Sequence, residues 1–465
     1  MLSFLKQEPG FYRMTAALAF PIIMQNLITN ALGMVDTFMV GVLGERAMAA
    51  VTLANVPVFV ITLLIFGIQS GCSVLMNQYW GRGDVQTVNR VIGVGCYISG
   101  GICLLFACVM FFFPVPFIGL FSNNRDLVEL AAEYARIVGF SYVFNGLTEV
   151  YISAQRSIGR PAVGMYVLAV SMCANTFLNW VFIFGNLGAP RLEVAGAAVA
   201  TLISRMLEFA IILVYALRCR YFRLNFSLLL RPGVAVLGKF VRYSSPVMLN
   251  ETMWGLGTAM YTTIMGHMED SQSILAAYTL AGNIEKVFIV AITGLAASAC
   301  ILIGREIGAG RSDRVYSMGL ALNTMAFFTG LAVGAAMITA THLLLRPYFF
   351  PLFHLSDHSS QIAVMMITVV SVIMPVRSFN SANIVGVLRG GGDVRAATLI
   401  DLLPLWLVSI PLAALMGLGL QWGIFWVYMA LVAEQIAKFI GGVWRLRSRQ
   451  WINDLTRAGT MEVPK

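Results

Sequence analysis

The sequence predicts an all-α polytopic membrane protein, with twelve transmembrane helices in two pseudo-symmetric six-helix bundles, and three observations carry that prediction. First, 58% of the 465 residues are hydrophobic and 11% charged, against roughly 45–50% and about 25% in soluble domains. Second, residues 47–81, 91–124, 161–190 and 315–345 contain no Asp, Glu, Lys or Arg, and each run exceeds the about 20 apolar residues that carry a helix across a bilayer. Third, the halves repeat. Ala49-Ala50-Val51-Thr52-Leu53-Ala54 recurs as Ala276-Ala277-Tyr278-Thr279-Leu280-Ala281, and Gly81-Arg82-Gly83-Asp84 is echoed by Gly308-Ala309-Gly310-Arg311, both at an offset of 227. Arg156-Ser157-Ile158-Gly159 is echoed by Arg389-Gly390-Gly391-Gly392 at 233. A six-helix unit is even, so both copies run in the same direction, with an expected pseudo-two-fold axis along the membrane normal and a cavity between the bundles.

Taken in order, apolar runs bounded by charged or Gly/Pro connections place helices near 14–42, 51–78, 91–113, 129–154, 161–185 and 193–216. The second six fall near 239–265, 276–302, 316–345, 361–386, 395–417 and 421–444. The first run, uncharged from Arg13 to Asp36, is too long for a signal-peptide core and is expected to stay as the first span. The domain reading is an N-terminal lobe over 1–216, a cytoplasmic interlobe linker over 217–243, a C-terminal lobe over 244–447 and a cytoplasmic tail over 448–465.

Charge then orients the chain, since Lys and Arg concentrate in cytoplasmic loops. With both termini inside, the inner side collects Lys6, Arg13, Arg82, Arg160, the Arg218-to-Arg242 group, Arg311, Arg314, Arg395 and the Arg445-to-Arg449 group, while the opposite loops keep Arg46, Arg125, Arg191 and Arg346. The net charge of +9 therefore reads as topology, with no basic domain for nucleic acid. The seven cysteines lie in or beside apolar runs without a CxxC or Cys/His spacing, so neither a disulfide framework nor a zinc site is implied. The location expected is a bacterial inner, cytoplasmic membrane, crossed many times.

Ionisable groups inside spans are expensive and mark function or a compensating partner. Arg205 with Glu208, and Glu434 with Lys438, sit at i,i+3 and i,i+4 and are expected to neutralise each other along one helix face. Glu285 and Lys286 are adjacent and must point in different directions. Asp36 has no charged neighbour on its helix. Asn175 and Asn179, one turn apart, and Thr201 could supply it with polar partners in the same half. A carboxylate, two amides and a hydroxyl suit a hard cation or a held proton; the same groups would also serve as a network that only locks helices together. Pro21, on the helix of Asp36, removes a backbone hydrogen bond and is the candidate hinge.

Several segments, in this order within a duplicated chain, resemble the multidrug and toxic compound extrusion (MATE) transporters. They are Pro21 with Asp36-Thr37-Phe38-Met39-Val40-Gly41, Gln78-Tyr79-Trp80-Gly81-Arg82-Gly83-Asp84, the stretch from Asn175 to Gly185, Gly196-Ala197-Ala198-Val199-Ala200-Thr201, and Val387-Leu388-Arg389-Gly390-Gly391-Gly392-Asp393. The resemblance implies a secondary antiporter that expels amphipathic, cationic organic compounds by alternating access, driven by H+ or Na+ as the coupling ion with no other cofactor. It implies that Asp36, Asn175, Asn179 and Thr201 form the cation-coupling cluster. Ser378 stands where NorM-like relatives carry an acid on helix ten, which places the chain nearer the DinF-like or general bacterial branch. Glu251, Glu285, Lys286, Arg377, Asn380 and Asp401 are candidate cavity residues.

Other signals are set aside. His354 and His358 with Asp357 lack a further ligand nearby, Arg82-Gly83-Asp84 reads as a turn after a helix, and Gly390-Gly391-Gly392 lacks the ending of a phosphate loop, so ATP is not the expected energy source. The partners expected are a small amphipathic molecule and membrane lipid, with the chain acting as a monomer. The rival readings are a lipid-linked precursor flippase, which would need a strongly cationic cavity, and a membrane-embedded enzyme or receptor, for which no catalytic set is visible.

Overall fold

Eleven of the twelve expected spans each appear as one long helix, and no strand occurs among the described residues, 6–350 and 356–457, of the computed structural model. The N-terminal half holds α1 (Phe11–Gly41), α2 (Glu45–Gly81), α3 (Val85–Phe112), the short α4 (Pro114–Ile118), α5 (Arg125–Ser157), α6 (Ala162–Phe184) and α7 (Glu193–Arg218). A second short helix, α8 (Phe226–Leu230), lies in the connection, and α9 (Val234–Gly266) follows. Then come α10 (Ser271–Phe288), α11 (Val290–Gly308), α12 (Ser312–Tyr348), α13 (Asp357–Leu388), α14 (Val394–Gly419) and α15 (Ile424–Ser448). The span expected near 276–302 is thus two helices parted at Ile289. The break falls in the bulky, β-branched run Val287-Phe288-Ile289-Val290, which crowds a helical turn. With α10 and α11 counted as one crossing, the long helices make twelve, in agreement with the sequence.

The duplication is written into the backbone. Gly83, Gly159, Gly310 and Gly392 follow the ends of α2, α5, α11 and α13 with φ of +80°, +84°, +76° and +84°. At each, the next residue's N–H reaches back to a carbonyl five residues earlier: Asp84 to Tyr79 at 2.9 Å, Arg160 to Gln155 at 2.8 Å, Arg311 to Glu306 at 3.0 Å and Asp393 to Leu388 at 3.0 Å. This left-handed glycine cap satisfies the carbonyls that a helix end leaves open. Arg82-Gly83-Asp84 is such a turn, and the Asp84 carboxylate then accepts from the Thr87 N–H at 2.9 Å to start α3.

Two compact units emerge, one of Met1–Ile23 with Leu249–Lys465, the other of Met24–Met248. The divisions fall inside α1 and α9, two residues beyond Pro21 and Pro246, rather than in the 217–243 connection. Local packing explains this. Phe11, Leu18 and Ile22 are buried in a core with Leu302, Leu322 and Leu388, whereas the start of α9 lies against α2, with Ser244 on Gly71 and Met248 on Gly67. A side chain at Gly71 would collide with Ser244. The linker is docked as well: the Asn225 N–H donates to the Asn89 side chain at 3.0 Å and the Tyr97 hydroxyl donates to the Leu230 carbonyl at 3.1 Å.

Candidate functional site

The stretch Gly196-Ala197-Ala198 has little side chain, so α7 approaches α6 until Gly196 rests on the Phe182 carbonyl. That contact sets Thr201, whose hydroxyl donates to the Ala197 carbonyl at 2.9 Å, beside Asn175. Asn175 and Asn179 are 1% and 0% exposed, one turn apart on α6. The Asn179 amide donates to the Asp36 carboxylate at 2.6 Å and to the Asn175 carbonyl oxygen at 3.0 Å, and the Asn175 amide donates to the Thr201 hydroxyl at 3.5 Å. The four residues singled out in the sequence therefore form one connected cluster across α1, α6 and α7.

Two features of this cluster bear on ion binding. Among the described residues no basic group pairs with Asp36, and the Asn179 side-chain oxygen is buried without a hydrogen-bond donor. A buried acceptor with no partner costs about 1–3 kcal/mol, a cost that a proton shared with the carboxylate or a small hard cation would remove. The donor set of carboxylate, amide and hydroxyl oxygens fits such an ion. Among the described residues no group of three His, Cys, Asp or Glu could hold a metal. His358 instead pairs with Asp270 at 2.8 Å on the surface, and His354 lies outside the described residues.

Other buried polar groups in this unit were less legible. Glu149 of α5 accepts from the Gln69 amide at 2.8 Å, and Arg205 pairs with Glu208 at 2.7 Å as the i,i+3 spacing predicts. Gln25, one helical turn beyond Pro21, accepts from the Arg156 guanidinium at 2.7 Å and donates to the Pro161 carbonyl. That bond fastens α1 to the end of α5. Nothing in the apolar pattern of α1 singled out Gln25.

The C-terminal candidates behave differently. Glu285 pairs with Arg377 at 2.5 Å, while Lys286 is exposed on another face of α10, as adjacency requires. Glu251 lies 3.2 Å from both terminal nitrogens of Arg389, which is 1% exposed. Asp401 is held by Lys438 at 2.8 Å and by the Asn250 amide at 2.9 Å. Lys438 also meets Glu434 at 3.3 Å, and the Asn380 amide donates to the Gln435 side chain and backbone at 3.1 and 2.7 Å. Arg389 could have been found in advance as the repeat of Arg156, and the pair Asn250-Glu251 as the repeat, at offset 225, of Gln25-Asn26. In both halves an arginine at the end of the fourth span of the repeat is thus bound by a polar side chain shortly after a proline.

Comparison with known proteins follows the same pattern. The MatE family model matches residues 21–181 and 246–415, one match in each repeat. An uncharacterized transporter of Bacillus subtilis, YisQ, is 25% identical over 439 residues, covering 94% of each chain. A probable multidrug resistance protein of Thermotoga maritima, NorM, is 22% identical over 455 residues, covering 95% of each. A multidrug resistance transporter of the MOP superfamily, solved facing outward, superposes with a TM-score of 0.84 at 20% identity over 97% of this chain and 98% of that one.

Proposed function

The chain belongs to the MatE family, whose members are transporters and not enzymes, and from that premise we propose that it is a cation-coupled secondary antiporter exporting amphipathic, cationic organic compounds. The observation that carries the reading is Asp36: a carboxylate inside a span, hydrogen-bonded by a buried amide and free of any basic partner among the described residues. Only a ligand that binds two conformations unequally can shift their balance. H+ or Na+ at Asp36 would replace the donor that the carboxylate now takes from Asn179, and α1 would change its packing on α6. Pro21, which has no N–H to give, is the natural point of flexure between Asp36 and the first turns of α1. A multi-pass protein of this kind works in a cytoplasmic membrane, with both termini inside, by alternating access and without ATP.

The flippase alternative would need uncompensated positive charge. Arg205 and Arg377 are each neutralised by a carboxylate, at 2.7 and 2.5 Å, which favours efflux. The test uses proteoliposomes loaded with a cationic dye, with a pH or a sodium gradient imposed separately. One gradient drives efflux in the native chain, and Asp36→Asn abolishes the gradient-driven part while leaving insertion normal; efflux unchanged in Asp36→Asn rejects the reading.

A further inference from the structure

The two halves share a fold but pair their intramembrane carboxylates to different extents; in the N-terminal half Glu208 meets Arg205 at 2.7 Å, while two others do not meet a basic group among the described residues. In the N-terminal half, Asp36 and Glu149 have no Lys or Arg partner among the described residues; their bonds come from the amides of Asn179 and Gln69. In the C-terminal half, Glu251, Glu285, Asp401 and Glu434 all lie beside a basic nitrogen, at 3.2, 2.5, 2.8 and 3.3 Å.

The sharpest case is Lys438. Its side chain is 5% exposed and its ammonium sits between Asp401 and Glu434, whose remaining oxygens accept from the amides of Asn250 and Gln435, both at 2.9 Å. Two carboxylates, each steadied by an amide N–H, face one compact positive charge, and such paired carboxylate oxygens are the kind of ligand that binds a small monovalent cation. The two halves use the basic residue of the last span differently. In the first half Arg205 turns to Glu208 on its own helix and leaves Asp36 alone; in the second, Lys438 reaches across to α14 and occupies the carboxylates.

We infer that the Lys438 ammonium is a tethered cation that fills a small-cation site formed by Asp401 and Glu434. The C-terminal half then takes up no coupling ion, and ion exchange is confined to the N-terminal cluster. The confinement rests on the Asp36 reading above; the tethered charge does not. A lysine suits the role because its charge is a compact ammonium on a flexible stem, close to a hydrated alkali ion in charge density, whereas an arginine fork would bind one carboxylate in a plane.

The experiment uses the full-length purified protein and sodium chloride against choline chloride at equal ionic strength. In Asp36→Asn, which leaves the Lys438 site intact, radioactive sodium does not bind and sodium leaves the melting temperature unmoved. In Asp36→Asn with Lys438→Gln, sodium binds at about one per chain and raises the melting temperature by a few degrees in a saturable way. Adding Asp401→Asn and Glu434→Gln removes that response. Sodium binding by Asp36→Asn with Lys438 in place overturns the inference, and so does a folded Lys438→Gln double variant that binds none. Because the first of these needs only the single variant, the test stands even where the double variant fails to fold. Asp36→Asn that transports normally would sink the coupling role of Asp36 without touching the sodium result at Lys438.

Discussion

Replacing Asn179 by Leu separates an ion-bearing cluster from a network that only holds helices together. The substitution keeps the branched heavy-atom outline of the side chain and removes three things: the 2.6 Å bond to the Asp36 carboxylate, the 3.0 Å bond to Asn175 and the partnerless buried oxygen. A hydrogen bond to a charged group contributes about 1.5–3 kcal/mol and a neutral one about 0.5–1.5, while relief of the orphan acceptor returns about 1–3. The terms nearly offset, so the net loss of stability is about 1–2 kcal/mol, within what the fold tolerates. Ion exchange has no such compensation. The ion-free carboxylate loses a charge-assisted contact of about 1.5–3 kcal/mol, so ion release becomes about tenfold to hundredfold less favourable at 1.4 kcal/mol per decade, and gradient-driven dye efflux should fall by at least about tenfold. The assay pairs initial efflux rates from proteoliposomes with thermal melting in detergent. A variant that melts far below the native chain yet transports, per folded molecule, at the native rate would refute the ion-bearing role and leave the staple.

Further outcomes follow from the same geometry. Arg389→Met strands the largely buried Glu251 carboxylate and should cost about 3–5 kcal/mol, read as a lower melting temperature; Glu251→Gln combined with Arg389→Met should recover part of that loss. Gly159→Val forces a β-branched residue to φ near +84° and should lower stability by at least about 1–2 kcal/mol, whereas Gly101→Ala, where an added Cβ meets nothing within 4 Å, should leave stability within about 1 kcal/mol of native or above it, both read by thermal melting. Gln25→Leu removes the α1 to Arg156 contact and should accelerate local exchange of backbone amides around Pro21, measured by hydrogen–deuterium exchange; unchanged exchange there would show that α1 is fastened by other contacts.

Much of the fold was legible because a bilayer leaves so few solutions. An uncharged run of about 20 residues has to be a helix, and a repeat of glycine turns at near-constant offset has to be a duplicated bundle. What composition could not reveal was the sharing of α1 and α9 between the compact units, since neither Pro21 nor Pro246 changes the hydropathy of its run. The Asp36 cluster was legible from spacing, because i,i+4 asparagines share a face and an unpaired carboxylate needs polar partners. Pairing within one helix was legible for the same reason: Arg205 with Glu208 and Glu434 with Lys438 stand as expected. Pairing between helices was not. Lys438 with Asp401, Arg389 with Glu251 and Arg377 with Glu285 depend on which helices are neighbours and how each is rotated.

Ion counting tests the central claim most directly. A cationic dye is added to purified protein in unbuffered solution while proton activity and sodium activity are both followed. The native chain should release one H+ or one Na+ for each dye molecule bound, and Asp36→Asn should bind dye and release none. Equal release from Asp36→Asn would contradict the account, because the exchanged ion would then be held somewhere other than the carboxylate of the first span.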